Sequence, residues 1–180
     1  MRVMIDACVL YPTVMREVVL GCAQAGLFEP RWSPRILEEW ARATIKLGPE
    51  QEVWARGEIA ALGVQFPMAC VTYDRAIEAR FWLPDPADIH VLAAAVAGSC
   101  DAILTMNTKD FPGNLLADEG LDRIDPDGFV RDLFKRAPDL VRGIAHGVLA
   151  EANRLSDRPW EMRALMKKAR LPRFGKALVA

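Results

Sequence analysis

Oxygen-bearing side chains come soon after two apolar runs in this 180-residue sequence. Asp6 directly follows residues 2–5, and Asn107 and Asp110 follow residues 102–105. Both runs are predicted to be buried strands. In an open parallel sheet the active site forms where the strands reach their carboxyl ends. We therefore expect these three side chains to lie at one edge of the sheet.

A further carboxylate, Asp88, lies in the first turn of the helix predicted to precede the second strand. The sequence offers these carboxylates no obvious cationic partner, so a bound cation is expected to offset their mutual repulsion. Oxygen ligands without His or Cys favour Mg²⁺ or Mn²⁺ over zinc. Each carboxylate also has an ordinary reading, since Asp6 can simply end a strand and Asp88 can interact with the helix dipole.

The motifs in the chain do not support other kinds of site. Four Cys without a C-x-x-C pair, together with only two His, disfavour a zinc site. Neither G-x-x-x-x-G-K-[ST] nor G-x-G-x-x-G occurs, so no phosphate-binding loop is predicted. The longest stretch without a charged residue, residues 59–73, is too short to span a bilayer, and the first residues lack a signal-peptide pattern. We expect a cytoplasmic protein with reduced thiols and no membrane partner.

The elements that must position the candidate residues alternate between strands and helices. Helices are predicted over about 12–26, from Ser33 onward, and over about 85–98. Ser33 is a typical N-cap residue, and Pro34 suits the first helical position that follows it. Asp85 is expected to cap the later helix in the same way. This alternation predicts a parallel sheet with helices on both faces.

The character of the sequence changes after residue 125. We expect an α/β domain over residues 1–125 and a helical C-terminal extension over residues 126–180. The other predicted segments are, in chain order, extended stretches over 28–32 and 63–73, a helix over 49–62, and helices over 129–137, 138–155 and 159–169.

The formal net charge of −1 hides an uneven distribution. Residues 1–130 carry 11 Lys or Arg and 19 Asp or Glu, whereas residues 131–180 carry 12 and 5. The extension is basic from about residue 154, and such clusters suit a polyanion. A solvated helix face and docking onto the acidic part of the chain are the alternatives. The candidate residues for binding a polyanion are Arg163, Lys167, Lys168 and Arg170.

Three segments of the chain, spread over about residues 2–115, resemble the PIN-domain nucleases. They are RVMIDACVLYP, WSPRILEEWAR and DPADIHVLAAAVAGSCDAILTMNTKDFP. The similarity is greatest to the VapC-like toxins of bacterial toxin–antitoxin pairs. It implies a PIN-like three-layer α/β fold, in which helices flank a central parallel sheet, followed here by the C-terminal extension.

The resemblance also implies a set of catalytic and metal-binding residues. The family's first acid corresponds to Asp6 and its third to Asp88. Its second acid lies six residues after the Ser that opens the helix. The helical wheel does not choose between Glu38 and Glu39, but Ser33 sets the register so that the acid corresponds to Glu39.

Two positions depart from the family pattern. The fourth acid is replaced by Asn107, and Asp110 three residues later is the candidate to take over, directly or through water. Cys8 stands where many members have an Asn that supports the first acid. The resemblance therefore implies that Asp6, Asp88, Asp110 and Asn107 are the candidate metal ligands.

The resemblance implies an endoribonuclease that depends on Mg²⁺ or Mn²⁺, with one or two ions. Such an ion lowers the pKa of a bound water and offsets charge on the phosphate, while a carboxylate such as Glu39 orients the water. Tyr11, Trp32 and Trp82 are candidate platforms for RNA bases. The implied partners are RNA, a cognate VapB-like antitoxin and a second copy of the chain.

Two rival functions are weighed against this one. A PIN scaffold that binds RNA or a protein without cleaving it is favoured by Asn107 at the fourth acidic position. A phosphohydrolase of the haloacid dehalogenase type would need D-x-D after the first strand, and Cys8 occupies the place of the second Asp.

Overall fold

The computed structural model describes residues 1–179, apart from the side chain of Pro49. The chain divides into two compact units. The first unit comprises Met1–Tyr11 and Phe28–Ile124, and the second comprises Pro12–Leu27 and the residues from Asp125 onward. The domain division at residue 125 stays a prediction. Within residues 1–179 no helix is long and apolar enough to cross a membrane.

A four-stranded sheet forms the centre of the first unit. Its strands are β1 (Arg2–Ile5), β2 (Glu29–Arg31), β3 (Ala102–Leu104) and β4 (Asp122–Ile124). Their order across the sheet is β2-β1-β3-β4, and every neighbouring pair is parallel. The predicted α/β fold with a parallel sheet is therefore confirmed.

The two central strands are apolar because both of their faces are covered. Val3, Met4 and Ile5 of β1 are fully buried, as are all residues of β3. Met4 pairs with Ile103 in the register of the two strands. This register brings the ends of β1 and β3 side by side, which places the residues that follow each strand next to one another.

Five helices belong to the first unit. They are α1 (Ala7–Leu10), α3 (Pro34–Thr44), α4 (Pro49–Gln65), α5 (Ile89–Ala97) and α6 (Gly113–Asp118). The predicted cap of α3 is confirmed, because the Ser33 hydroxyl accepts a hydrogen bond from the backbone N–H of Ile36 at 3.2 Å.

Asp85 caps the segment that leads into α5, as predicted. Its carboxylate accepts a hydrogen bond from the backbone N–H of Ala87 at 2.9 Å. The capped segment is a 3₁₀ turn, Pro86–Asp88, and the α-helix begins only at Ile89. Asp88 is therefore the last residue of a tight turn that precedes the helix.

Two predictions for the first unit were incomplete or wrong. The extended stretch expected over 63–73 was wrong at its start, since α4 continues to Gln65, and Cys70 makes only an isolated bridge to Trp32. Strand β4 was missed because its sequence is Asp-Arg-Ile, and Asp122 and Arg123 are exposed at the edge of the sheet. Such a strand carries no apolar run for a sequence pattern to detect.

The second unit is helical. It contains α2 (Thr13–Gln24), α7 (Pro126–Arg136), α8 (Pro138–Arg154), α9 (Met162–Lys168) and α10 (Pro172–Leu178). Helix α10 was not predicted. A Cβ atom at Gly21 of α2 would lie 2.7 Å from Cγ2 of Ile144 in α8, so a glycine is needed where these two helices approach closely.

Buried Asp127 ties α7 to the start of α10. Its Oδ1 accepts a hydrogen bond from the backbone N–H of Phe174 at 2.9 Å. Its Oδ2 accepts two from Arg173, from the backbone N–H and from Nε, both at 3.0 Å. The carboxylate thereby satisfies N–H groups in the first turn of α10, which have no acceptor within that helix.

We predict that Asp127→Ala lowers the free energy of unfolding by about 2–3 kcal/mol, because it leaves two backbone N–H groups at the start of α10, one of them buried, without their acceptor. Thermal and urea melts followed by circular dichroism measure the change. Asp132→Ala is the matched control, since Asp132 lies on the same helix and pairs only at the surface. Equal losses in the two variants would contradict this role for Asp127.

Candidate active site

Asp6 lies where β1 ends, beside the end of β3. Its backbone N–H donates to the carbonyl of Leu104 at 3.1 Å, which continues the strand pairing. Its Oδ2 accepts a hydrogen bond from the Thr105 hydroxyl at 2.7 Å and faces the Cys8 sulfur at 3.0 Å. Asp6 is buried. The first predicted acid is therefore held in one orientation by both strand ends.

Cys8 serves as the hydrogen-bond donor to Asp6. Burial, together with the charge of Asp6, raises the pKa of the Cys8 thiol to about 12, so the thiol keeps its proton at neutral pH. The S–H can then donate to Asp6, and the sulfur accepts from the backbone N–H of Met106 at 3.3 Å. The thiol thus supports the acid at the position where many members of the resembled family have an Asn.

Three carboxylates gather at this edge of the first unit. Ligand oxygens of Asp85, Asp88 and Asp110 all lie within 4.8 Å of one another. Burial raises the pKa of Asp88 to about 6, and the charges of Asp6, Asp85 and Asp110 add to this shift. The charge of Asp6 therefore acts on Asp88, although Asp6 lies outside the group of three.

Asp85 is the member of this cluster that the sequence did not identify as a ligand. The Asp85 carboxylate caps the turn before α5, and it also contributes an oxygen to the cluster. The D-P-x-D spacing contained the signal, since a 3₁₀ turn brings residues three apart onto one side. The cluster consists of oxygen donors with excess negative charge. It therefore fits a hard divalent cation.

The loop after β3 is organised by Thr105 and Arg123. The Thr105 hydroxyl accepts from the backbone N–H of Asn107 at 2.9 Å. Nη1 of Arg123, on β4, donates to the carbonyls of Thr108 at 2.8 Å and Phe111 at 2.7 Å. These bonds fix the segment that carries Asp110. No sequence signal identified Arg123, because β4 itself was not predicted.

Asn107 and Asp110 have different roles in the site. The side-chain amide of Asn107 donates to Oδ2 of Asp88 at 3.1 Å. Asp110 belongs to the carboxylate cluster. An amide that donates to a carboxylate orients it, whereas a second carboxylate adds charge and a ligand oxygen. The geometry favours Asp110 over Asn107 as the replacement for the missing fourth acid.

Glu39 lies close to the residues that follow Asp88. Its Oε1 is 2.8 Å from Nε2 of buried His90, although the ring is not aligned for a hydrogen bond, and 3.3 Å from Nε of Arg35. Arg35 also donates to the carbonyl of Ala87 at 3.4 Å. Glu39 therefore has a cationic partner, Arg35, on its own helix.

Glu38 has a separate role on the same helix. It accepts from Arg42 at 2.7 Å and from both terminal nitrogens of Arg56 at 2.9 and 3.2 Å. Hydrogen bonds from Arg56 and then Arg42 lower the pKa of Glu38 to about 2. Glu38 is thus engaged with α4, while Glu39 is engaged with His90 at the start of α5.

The predicted RNA-binding residues belong to the second unit and are exposed. Arg163, Lys167 and Lys168 lie on α9, and Nζ of Lys168 is 4.5 Å from the ring centroid of Trp160. Arg170 follows the end of α9 with a φ of 61°. Arg170 therefore lies outside the helix that carries Arg163 and Lys167.

The three aromatic side chains suggested as base platforms differ in exposure. Trp32 is only 1% exposed, so it cannot stack on an RNA base and the suggestion was wrong for this residue. Trp82 is 68% exposed. Nζ of Lys46 lies 5.0 Å from the ring centroid of Tyr11.

We predict that Asp88→Asn stabilises the metal-free protein at pH 7.5 by about 1 kcal/mol, a value reduced for the half-exposed position. The pKa of Asp88 is raised to about 6 in the folded state. In the wild-type protein the protonated Asp88 carboxyl therefore contributes stability that is fully present below about pH 4 and is lost as the pH rises through 6. Thermal melts in EDTA at pH 7.5 and 4 measure this difference, which should vanish at the lower pH. Asp118→Asn, at an exposed position, is the control. A destabilised Asp88→Asn protein at pH 7.5 would argue against uncompensated repulsion.

Comparison with known proteins identifies the family to which this sequence belongs. A family model described as PIN domain matches residues 2–109, which include Asp6, Glu39, Asp88 and Asn107. No curated protein and no solved structure matches the chain. The matched segment covers more than half of the chain and contains the strand ends that carry the acidic site. The chain therefore belongs to the PIN-domain family, whose members are generally nucleases.

Proposed function

We propose that the protein is an endoribonuclease that depends on Mg²⁺ or Mn²⁺ and acts as the toxin of a VapBC-type pair. The observation that carries the nuclease proposal is the cluster of exposed Asp85 with half-buried Asp88 and Asp110, in which the pKa of Asp88 is raised to about 6. The site lies where the strands of a PIN-domain chain end, and its donors are the kind that a hard divalent ion selects.

Asp88 and Asp110 would hold the metal ion, with Asp85 and Asp6 beside them. When bound, the ion would supply electrostatic stabilisation of the charge that develops on the phosphate. Thr105 and Cys8 fix the carboxylate of Asp6 through hydrogen bonds. A carboxylate held in this way loses little freedom when it takes part in the reaction.

Two further side chains complete the proposed mechanism. Asn107 orients Asp88 by donating a hydrogen bond from its side-chain amide. Glu39 accepts a hydrogen bond from the attacking water and takes up its proton, while a hydrogen bond from Arg35 keeps its carboxylate in place. In-line attack by the water oxygen on phosphorus breaks the bond to the 3′ oxygen, which takes a proton from solvent. The products are a 5′-phosphate and a 3′-hydroxyl.

RNA, a cognate VapB-like antitoxin and a second copy of the chain are the proposed partners. The exposed Arg163, Lys167, Lys168 and Arg170 are proposed to contact RNA phosphates, which supports affinity without reading sequence. A scaffold without catalysis is the second candidate function, because an amide, Asn107, stands at the fourth acidic position.

We predict that Glu39→Gln reduces the RNA cleavage rate by about 100-fold, the usual size of the contribution from a general base. The matched variant Glu38→Gln should stay within about threefold of the wild type, because Glu38 engages Arg42 and Arg56 and is not a member of the carboxylate cluster. The assay follows a labelled RNA with Mg²⁺ or Mn²⁺ and with EDTA. Wild-type protein that cleaves no RNA with either ion would favour the scaffold, and the reverse order of the variants would remove Glu39 from the mechanism.

We predict that Asp110→Asn reduces both Mn²⁺ affinity and cleavage by about tenfold or more, whereas Asn107→Ala reduces cleavage by less. The reason is that Asp110 contributes charge and an oxygen to the cluster, while Asn107 only orients Asp88. Calorimetric titration with Mn²⁺ gives the affinity independently of the RNA assay. Equal and negligible losses would exclude both residues as the fourth member of the site.

A further inference from the structure

A groove of about 660 Å³ lies beside Glu39 in the first unit. Its walls are one side of α3 and residues 71–75. The charged and aromatic side chains that line it are Arg35, Glu38, Glu39, Arg42, Tyr73 and Arg75. The volume falls within the range of sites that hold small-molecule ligands. Because Glu39 lines the same groove, a strand bound at the acidic site can continue into it.

We propose that this groove binds the nucleotide of a single-stranded RNA that lies next to the scissile phosphate, with Tyr73 under the base and Arg42 and Arg75 on the phosphate. The identification of RNA as the substrate rests on the proposed function. The groove itself is defined by residues of α3 and residues 71–75, none of which belongs to the carboxylate cluster.

The guanidinium groups in the groove are available to a phosphate. The side chains of Arg42 and Arg75 are 72% and 77% exposed, and their ion pairs with Glu38 and Glu78 are at the surface. Exposed pairs of this kind contribute little to stability. A phosphate oxygen is a strong acceptor for guanidinium donors, so exchange of partners costs little.

The carboxylates that Arg42 and Arg75 would leave keep other partners. Glu38 still accepts from both terminal nitrogens of Arg56. Glu78 still accepts from the Tyr73 hydroxyl at 2.8 Å, while Arg75 is 3.8 Å away in the unbound protein. Neither carboxylate is left without a donor when its arginine turns to a ligand.

Tyr73 has the properties of a stacking platform. Its hydroxyl donates to Glu78 and lies 3.2 Å from the carbonyl of His90, which anchors one end of the half-buried ring. Burial, together with Glu78, raises the pKa of Tyr73 to about 12, so the phenol remains neutral. A fixed aromatic ring beside a groove is a common way for a protein to hold an unpaired base.

His90 connects this platform to the acidic site. Its carbonyl contacts Tyr73, its ring contacts Glu39, and it follows Asp88 by two residues. The distance between a base on Tyr73 and the scissile bond is therefore set by one short segment of backbone. Such a subsite would select RNA whose bases next to the cleavage point are unpaired.

Fluorescence anisotropy of a short labelled RNA in EDTA tests the subsite without cleavage. Tyr73→Leu should weaken binding about tenfold without changing its salt dependence, and Tyr73→Phe should stay within about twofold because the ring remains. The double variant Arg42→Gln with Arg75→Gln should weaken binding at least about fivefold and lower the slope of log K against log salt by about 1.4. Arg2→Gln is the matched control, an exposed arginine paired with Glu29 away from the groove.

Wild-type affinity in both Tyr73→Leu and the double arginine variant would overturn the subsite, as would an equal loss in Arg2→Gln. Thermal melts show whether each variant is folded. If Tyr73→Leu does not fold, the Tyr73→Phe variant tests the subsite, because weak RNA binding by a folded Tyr73→Phe protein would contradict stacking. The measurement also separates the two proposals. Cleavage by wild-type protein together with unaffected binding in the variants would leave the nuclease intact and remove the subsite. The expected losses of binding in a protein that cleaves no RNA would do the opposite.

Discussion

The repulsion among Asp6, Asp85, Asp88 and Asp110 is the constraint around which the first unit is arranged. Its measure is the pKa of Asp88, raised to about 6 by burial and by the other three charges. The unit tolerates this unfavourable energy because its central strands and the side chains packed against them are apolar and buried. Stability gained in the core thus allows an edge at which like charges repel one another, as is common at functional sites.

Hydrogen bonds keep these carboxylates in place rather than neutralising them. Thr105 is the central member, since its hydroxyl donates to Asp6 and accepts from the backbone of Asn107, whose amide in turn donates to Asp88. One short path therefore connects the ends of β1 and β3 with the turn before α5. A substitution of Thr105 would disturb the hydrogen bonds that hold the carboxylates of Asp6 and Asp88, although Thr105 itself carries no charge.

Much of this arrangement was accessible from the sequence because the signals were local. Apolar runs predicted β1 and β3, Ser33 and Asp85 predicted two caps, and the residues after the runs predicted the edge at which Asp88 and Asp110 meet. The rest depended on contacts between distant segments. Strand β4 has no apolar pattern, and Arg123 acts through carbonyl groups in a loop 12 to 15 residues away. The burial of Trp32 and the partners of Glu38 and Glu39 are likewise set by tertiary packing, which a pattern of residue types does not encode.

The two outer strands of the sheet have a consequence for how copies of this chain behave in a crowded solution. Strands β2 and β4 are three residues each, and the exposed side chains on them include Glu29, Asp122 and Arg123. An open edge normally offers its unpaired N–H and C=O groups to another chain, which leads to aggregation. Short length and charge both discourage such pairing. The same polar character that hides β4 from sequence patterns therefore protects an open parallel sheet from edge-to-edge aggregation.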